Sequence, residues 1–198
     1  MIDVYIAILP NEEPCGALSV TERQNEISSV SNERVRREKF YVWKLLENAL
    51  QNSLGLSARE LDFYKDKNGK WHCSECAFSL SHSAGALAVA VSDNEVGVDI
   101  ERVKIKYPER ASEYILTPKE LCEYRLLPED KRVEHLILKW TQKEAAFKLF
   151  GKEAYKPSSI ELDGLFLDSR RLELMDEQYF LSVASKKAED IKIFELKI

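Results

Sequence analysis

The chain has 198 residues, a formal net charge of −5 and 44% hydrophobic residues. This length allows one large domain or two small ones, and the composition is typical of a globular protein rather than a disordered chain. The negative net charge gives no overall attraction to nucleic acid or anionic membrane, so neither is expected as a partner. An anionic substrate would therefore need a local cluster of basic residues.

The first nine residues predict a β-strand rather than a signal peptide, because they lack a basic segment and include Asp3. No apolar run is long enough to span a bilayer, so a cytoplasmic location is expected. Cys73 and Cys76 form a C-x-x-C pair without a second pair of ligands at similar spacing. Reduced thiols are therefore favoured over a structural zinc site.

After this strand, hydrophobic periodicity predicts helices over 17–28 and 32–52. Strands are predicted over 61–64, 76–80, 86–91 and 96–100. The polar residues 92–95 predict a tight turn, and hence a hairpin between the last two strands. Helices then follow over 108–116, 118–126 and 133–150, and strands over 159–162, 171–175, 179–184 and 191–198.

This order predicts an α+β fold in which each half has a small, mainly antiparallel sheet packed on helices. The order is strand, helices, strands in residues 1–102 and helices, strands in residues 103–198, so the two halves look like two copies of one α+β plan. A monomer is expected, because each half can cover the other.

The segment Val96–Glu101 carries two acidic side chains at alternate positions of a strand, Asp99 and Glu101. Alternation places both carboxylates on the same side, where they repel each other. Either the strand runs out into solvent, or a divalent cation lies between the two acids.

The helix that contains Trp140–Lys148 carries Glu144 and Lys148 four residues apart, on one face. The pair can be an ordinary helix salt bridge. If Glu144 faces the two strand acids instead, three oxygen ligands suited to Mg²⁺ converge, and Lys148 can meet a substrate phosphate.

Two further segments can bind phosphate. A strand ends at Ser81 and His82, and a helix carries the basic residues Arg36, Arg37 and Lys44. Hydroxyls, imidazole and exposed N–H groups can hold a phosphate, although the same residues also suit a serine-rich turn. The basic residues can equally form a solvated helix face.

Taken together and in this order, the segments Phe78–Ser83, Val96–Glu101 and Trp140–Lys148 resemble the Sfp-type 4'-phosphopantetheinyl transferases. The resemblance covers most of the chain and is weakest before residue 30 and after residue 160. Two positions depart from the family pattern: Ser79 stands where asparagine is usual, and Trp71 follows Gly69-Lys70 where proline is usual.

The resemblance implies pseudo-twofold-related halves with coenzyme A between them. It implies that Asp99, Glu101 and Glu144 hold Mg²⁺, with Asp99, Glu144 and Lys148 as the catalytic residues. The implied coenzyme A contacts are Arg37, Lys44, Lys70, Ser81, His82, Lys143 and Lys148, with Arg37 and Lys44 near the adenosine end.

The implied reaction is attack of a serine of an apo acyl or peptidyl carrier protein on the β-phosphate of coenzyme A. Glu144 is the candidate base, acting directly or through a water. The segment Tyr114–Tyr124 either docks an acidic carrier helix or packs on the core. Two other functions remain open: a coenzyme A or nucleotide binding module without turnover, and a magnesium-dependent phosphohydrolase.

Overall fold

The computed structural model describes residues 1–103, 110–151 and 155–198. In these ranges the strands are β1 (Ile2–Ile8), β2 (Phe63–Lys65), β3 (Trp71–Cys73), β4 (Ala77–Ser83), β5 (Ala86–Ser92), β6 (Val96–Arg102), β7 (Phe166–Leu174), β8 (Glu177–Ser185) and β9 (Ile191–Glu195). The α-helices in the same ranges are α1 (Thr21–Ser28), α2 (Glu33–Leu54), α3 (Ala111–Ile115), α4 (Pro118–Leu126) and α5 (Glu129–Phe150).

Helix α2 shows how local sequence sets the boundaries of an element. The Asn32 side chain accepts a hydrogen bond from the Val35 N–H at its start. Gly55 ends it in the left-handed conformation, at φ 69°. Between these ends Trp43 and Leu46 are fully buried, so the predicted amphipathic helix is confirmed.

The strands form two main sheets and a small hairpin. The first sheet has the order β4-β5-β1-β9, in which β9 is parallel to β1 and the other pairs are antiparallel. The second sheet is antiparallel, with the order β6-β8-β7, and β2 pairs with β3. These elements make the predicted α+β class correct.

The clusters of buried residues show which helix packs on which sheet. One face of the first sheet packs on α2, with Tyr5, Val89 and Trp43 in one apolar cluster. The opposite face packs on the second sheet, where Val4 and Val98 share another cluster. Helix α5 covers the far side of the second sheet, so the two main sheets lie between two long helices.

Some sequence predictions were wrong. The predicted β5–β6 hairpin does not form, since β5 pairs with β1 and β4 while β6 pairs with β8. The predicted strand over 159–162 is replaced by a 3₁₀ turn at Pro157–Ser159, and β3 was not predicted. Helix α3 covers 111–115 of the predicted 108–116, and residues 108 and 109 lie outside the described residues.

The predicted division at residue 102 is not a division between sheets. Strand β6, from the first half, lies in the second sheet, and β9, from the second half, lies at the edge of the first. Two copies of one plan, a cytoplasmic location and a monomeric state stay predictions. Among the described residues, no helix combines the length and apolar character that a membrane span requires.

The segment Tyr114–Tyr124, for which carrier docking and core packing were both open, contributes to packing. Ile115 and Leu116 are buried in a cluster with Leu136, and Leu121 packs against it. Their apolar side chains therefore hold α3 and α4 against α5.

Candidate active site

Two serines of β4 hold the acidic end of β6. Ser81 Oγ donates a hydrogen bond of 2.7 Å to Asp99 Oδ1, and Ser83 Oγ donates one of 2.7 Å to Glu101 Oε2. The serines are two positions apart on β4 and the acids two positions apart on β6, so alternation places each pair on one side of its strand. The prediction that Asp99 and Glu101 point to the same side is therefore confirmed.

Helix α5 contacts the same two acids one turn either side of Glu144. Trp140 Nε1 donates to Glu101 Oε1 at 3.2 Å, and Lys148 Nζ donates to Asp99 Oδ1 at 2.7 Å. Residues four apart on a helix share a face. Glu144 therefore faces the acidic end of β6, midway between the residues that contact Glu101 and Asp99.

Gly97 allows α5 to come this close to β6. A Cβ atom at Gly97 would lie 1.9 Å from the carbonyl oxygen of Ala145 and 2.8 Å from the backbone nitrogen of Leu149. Both atoms belong to the backbone of α5, so a side chain here would require the helix to move. The glycine in the Val96–Glu101 segment thus sets the distance between the acidic strand and the helix.

The acids influence each other electrostatically. Burial is the largest cause that raises the pKa of Glu144, and the charges of Asp99 and Glu101 raise it further, while Lys148 lowers it. Asp99 Oδ2 is buried and has no hydrogen-bond partner in the described part of the chain. One oxygen of Asp99 is thus held by Ser81 and Lys148, and the other remains available to a ligand.

The three acids match Mg²⁺ by chemistry, because Mg²⁺ prefers oxygen ligands and a buried carboxylate oxygen without a partner is a ready donor. In the described ranges, no group of three or more His, Cys, Asp or Glu residues is gathered closely enough to hold a metal ion. Asp99 is paired with Lys148 instead, at 2.7 Å. Metal binding by all three acids would therefore require their carboxylates to come closer together.

A cleft of about 460 Å³ lies beside these acids, between the β2–β3 turn, β4 and the C-terminal end of α5. Trp71, Phe78 and Phe147 give it apolar walls, and Lys70 and Lys148 supply positive charge. Lys70 Nζ donates to the Lys148 carbonyl oxygen at 2.7 Å, and burial lowers the pKa of Lys70. An apolar cleft with two ammonium groups suits a ligand that combines a hydrophobic part with phosphate.

Comparison with known proteins identifies the family. The sequence model of the 4'-phosphopantetheinyl transferase superfamily matches residues 95–193, half of the chain. The chain belongs to the 4'-phosphopantetheinyl transferase superfamily. It is also similar to a 4'-phosphopantetheinyl transferase of Bacillus subtilis, with 26% identity over 160 residues, covering 74% of this chain and 69% of that protein. The superfamily and this relative indicate 4'-phosphopantetheinyl transferase activity.

Of the predicted coenzyme A contacts, Lys70 and Lys148 line the cleft of this transferase. Ser81 is buried, and its hydroxyl donates to Asp99 and accepts from the Ile100 N–H at 3.3 Å. The structure therefore uses Ser81 to hold β6, and a phosphate contact at Ser81 stays a prediction.

His82 lies on the opposite side of β4 from Ser81, against α2. Its Nδ1 is 3.5 Å from Glu38 Oε2. Burial is the largest cause that lowers the pKa of His82, and the charge of Glu38 is the largest effect that opposes it. The charges of Lys148 and Lys39 lower the pKa as well, and that of Asp99 raises it. Charges of both signs therefore lie around the imidazole, with the Glu38 carboxylate nearest, and a phosphate contact at His82 stays a prediction.

The predicted basic residues Arg37 and Lys44 are not brought to the cleft. Arg37 Nη1 donates to the Asn11 carbonyl oxygen at 3.3 Å, and Lys44 Nζ donates to the Ala17 carbonyl oxygen at 2.7 Å. Both hold the loop that follows β1, because they lie on the side of α2 that faces this loop. Their contact with the adenosine end stays a prediction.

Lys143 is buried away from the cleft. Its ammonium donates to the carbonyl oxygens of Pro157 and Ile160, at 3.1 and 3.2 Å, and lies 2.7 Å from Glu120 Oε2. An ammonium has three donors, and these partners use all of them. The predicted phosphate contact at Lys143 is therefore not supported by its position.

Replacing Lys143 with methionine is expected to lower the free energy of unfolding by about 3 kcal/mol, because it leaves the half-buried Glu120 without its closest partner. Urea denaturation measures this change. Lys139, 3.2 Å from Glu120 Oε1 and more exposed, gives the control, and Lys139→Met should cost less than about 1 kcal/mol. A folded Lys143→Met protein that binds coenzyme A more weakly than the control would show a phosphate contact instead.

Two more residues of the site lay inside recognised segments but had no predicted role. Ser83 and Trp140 each donate a hydrogen bond to Glu101. Their spacing was the available signal, since Ser83 is two positions from Ser81 on the strand and Trp140 is four from Glu144 on the helix. Tyr155 lies outside every recognised segment, and no sequence signal indicated it.

Proposed function

We propose that this enzyme transfers the 4'-phosphopantetheine group of coenzyme A to a serine of an apo carrier protein and releases adenosine 3',5'-bisphosphate. The observation that carries the proposal is that Trp140 and Lys148, one helical turn either side of Glu144, bond to Glu101 and Asp99 beside a cleft with two lysines. The three motifs in their order, Phe78–Ser83, Val96–Glu101 and Trp140–Lys148, support assignment to the Sfp-type group.

The cleft would bind coenzyme A through complementary chemistry. Its apolar walls suit the base or the pantetheine arm, while the ammonium groups of Lys70 and Lys148 suit the phosphates. Lys148 joins the cleft to the acids, since its Nζ donates to Asp99 while its side chain lines the cleft. A phosphate bound there would lie next to the acidic end of β6.

Asp99, Glu101 and Glu144 would hold Mg²⁺ at this point. When bound, the cation would offset the negative charge that accumulates on the pyrophosphate during transfer. Lys148 contributes a positive charge of the protein itself at the same place, and an ammonium fixed before the reaction needs little reorganisation as charge develops.

Glu144 is the proposed acceptor of the proton that the carrier serine loses. Its pKa is raised chiefly by burial. A carboxylate with a raised pKa is a stronger base than an exposed one, and proton transfer is favoured when the pKa of the base is near the working pH. The carboxylate would take the proton from the serine Oγ directly or through one intervening water.

Intact mass spectrometry of an apo acyl carrier protein incubated with this enzyme, coenzyme A and Mg²⁺ tests the proposal. A mass increase equal to one phosphopantetheine group on the carrier is expected, and it should be absent when a chelator replaces Mg²⁺. Coenzyme A binding without a mass increase would favour the binding module. Coenzyme A cleavage that needs no carrier would favour the phosphohydrolase.

A further inference from the structure

Tyr155 packs on the helix face that carries Glu144. Its ring centroid lies 4.6 Å from that of Phe147 and 5.8 Å from that of Trp140. On α5, Trp140 is four residues before Glu144 and Phe147 is three residues after it, so all three share one face. A ring that touches both neighbours must cover Glu144.

The hydroxyl of Tyr155 has no local structural role. It is buried and makes no hydrogen bond of good geometry in the described ranges, although it lies within hydrogen-bonding range of Glu144, where it lowers the pKa of that carboxyl. A buried hydroxyl without a partner is unfavourable, and phenylalanine would pack in the same space without that cost. Packing alone therefore does not account for a tyrosine here.

A second buried atom without a partner lies in the same place. Asp99 Oδ2 has no hydrogen-bond partner among the described residues. The charge of Asp99 also acts on Tyr155, which places Glu144, Asp99 and Tyr155 together. Asp99 Oδ2 and the Tyr155 hydroxyl thus both lack a good hydrogen bond and both lie near Glu144. A movement of the Glu144 carboxylate would give these polar atoms partners.

We propose that Tyr155 is a positioning residue, whose hydroxyl donates a hydrogen bond to Glu144 when Glu144 approaches Asp99 and Glu101. Trp140 already holds Glu101 in this way, through an indole N–H donated from the same group of aromatic rings. The hydroxyl of a tyrosine is a donor at neutral pH, and a carboxylate fixed by such a donor loses less freedom when it binds a ligand. This inference rests on the proposed function, in which Glu144 acts as ligand and base.

The variant Tyr155→Phe removes the hydroxyl and keeps the ring. Loss of a residue that supports a metal ligand typically weakens metal binding or activity, and a decrease of about 10- to 100-fold is expected in kcat and in Mn²⁺ affinity measured by calorimetry. The KM for coenzyme A should change less than about threefold, because the cleft is not altered. Because the hydroxyl is buried and its contact with Glu144 lacks good hydrogen-bond geometry, the Tm of the metal-free protein should change little or rise.

Tyr5→Phe is the matched control. Tyr5 is also a buried tyrosine, but its hydroxyl bonds to Ser53 Oγ at 2.8 Å, and it lies on β1, away from the acids. The control should lower Tm and leave kcat and Mn²⁺ affinity unchanged. The two variants therefore have opposite effects on stability and activity if Tyr155 positions Glu144.

Tyr155→Phe with kcat and Mn²⁺ affinity both within twofold of the wild-type values would overturn the inference, and so would a wild-type protein with no measurable Mn²⁺ binding. Failure of the proposed function gives a different result, in which the wild-type protein does not modify the carrier. In that case Mn²⁺ affinity alone decides: weaker binding by Tyr155→Phe supports the role of Tyr155, and equal binding overturns it.

Discussion

Replacing Glu144 with glutamine is expected to lower kcat for phosphopantetheine transfer by about 100- to 10,000-fold, the range that removal of a general base typically causes. Glutamine has nearly the same shape, so the packing against Trp140 and Lys148 is kept. What is lost is the charge that would bind Mg²⁺ and accept the proton from the carrier serine. Initial rates of mass transfer to an apo carrier protein, at saturating coenzyme A and Mg²⁺, measure the effect.

The same variant should not be less stable. The pKa of Glu144 is raised in the folded protein, chiefly by burial, so ionised Glu144 costs stability once the pH rises above the unfolded value near 4.5. At pH 7.5 in a chelator, Glu144→Gln should therefore have the Tm of the wild-type protein or a higher one.

Glu134→Gln, on the same helix but paired with Arg171 at the surface, is the control and should keep full activity. Near-normal transfer by Glu144→Gln would remove Glu144 from the proposed mechanism.

Replacing Gly97 with alanine is expected to affect stability and activity together. The new Cβ would lie 1.9 Å from the carbonyl oxygen of Ala145, which cannot rotate away because it belongs to the backbone of α5. Overpacking of this kind typically costs about 1–3 kcal/mol. The helix carries Glu144 and Lys148, and a displacement of about 1 Å at reacting groups can lower the rate about 100-fold.

Urea denaturation and transfer kinetics on the same preparation measure both effects. Gly164→Ala is the control, because Gly164 has no atom outside its chain neighbours within 4 Å and a φ of 84°, so alanine is strained there without touching α5. The Gly164→Ala protein should lose about 1 kcal/mol of unfolding free energy and keep its transfer activity. A Gly97→Ala protein with unchanged kcat would show that α5 need not lie this close to β6.

Where local chemistry decides, the sequence predicted the fold well. Helix α2 begins at its cap Asn32 and ends at Gly55. Helix α4 begins at Pro118, with Thr117 and Glu120 forming its capping box. Both helices therefore match their predictions closely. The β5–β6 hairpin failed for a physical reason. The polar residues 92–95 predict a turn, but they do not determine which strand β6 pairs with. In the structure β6 pairs with β8.

For the site, alternation along β6 and helical spacing along α5 predicted which side chains face each other. They did not predict what each polar group bonds to. Lys143 is in the family's motif, yet its partners Pro157 and Ile160 lie 14 and 17 residues away in a turn without a recognisable pattern. Tyr155 likewise lies near Glu144 without belonging to any sequence motif, so helical spacing along α5 could not predict it.

The pairing of β1 with β9 has a consequence for how the molecule is made. Ile2 lies opposite Ile191 in a parallel register, so β1 cannot gain its second neighbour until β9, which lies far later in the chain, has left the ribosome. Contacts between such distant residues carry a large entropic cost and form slowly. The first sheet therefore stays incomplete until β9 has been synthesised, and until then the edge of β1 that β9 covers is exposed to other chains.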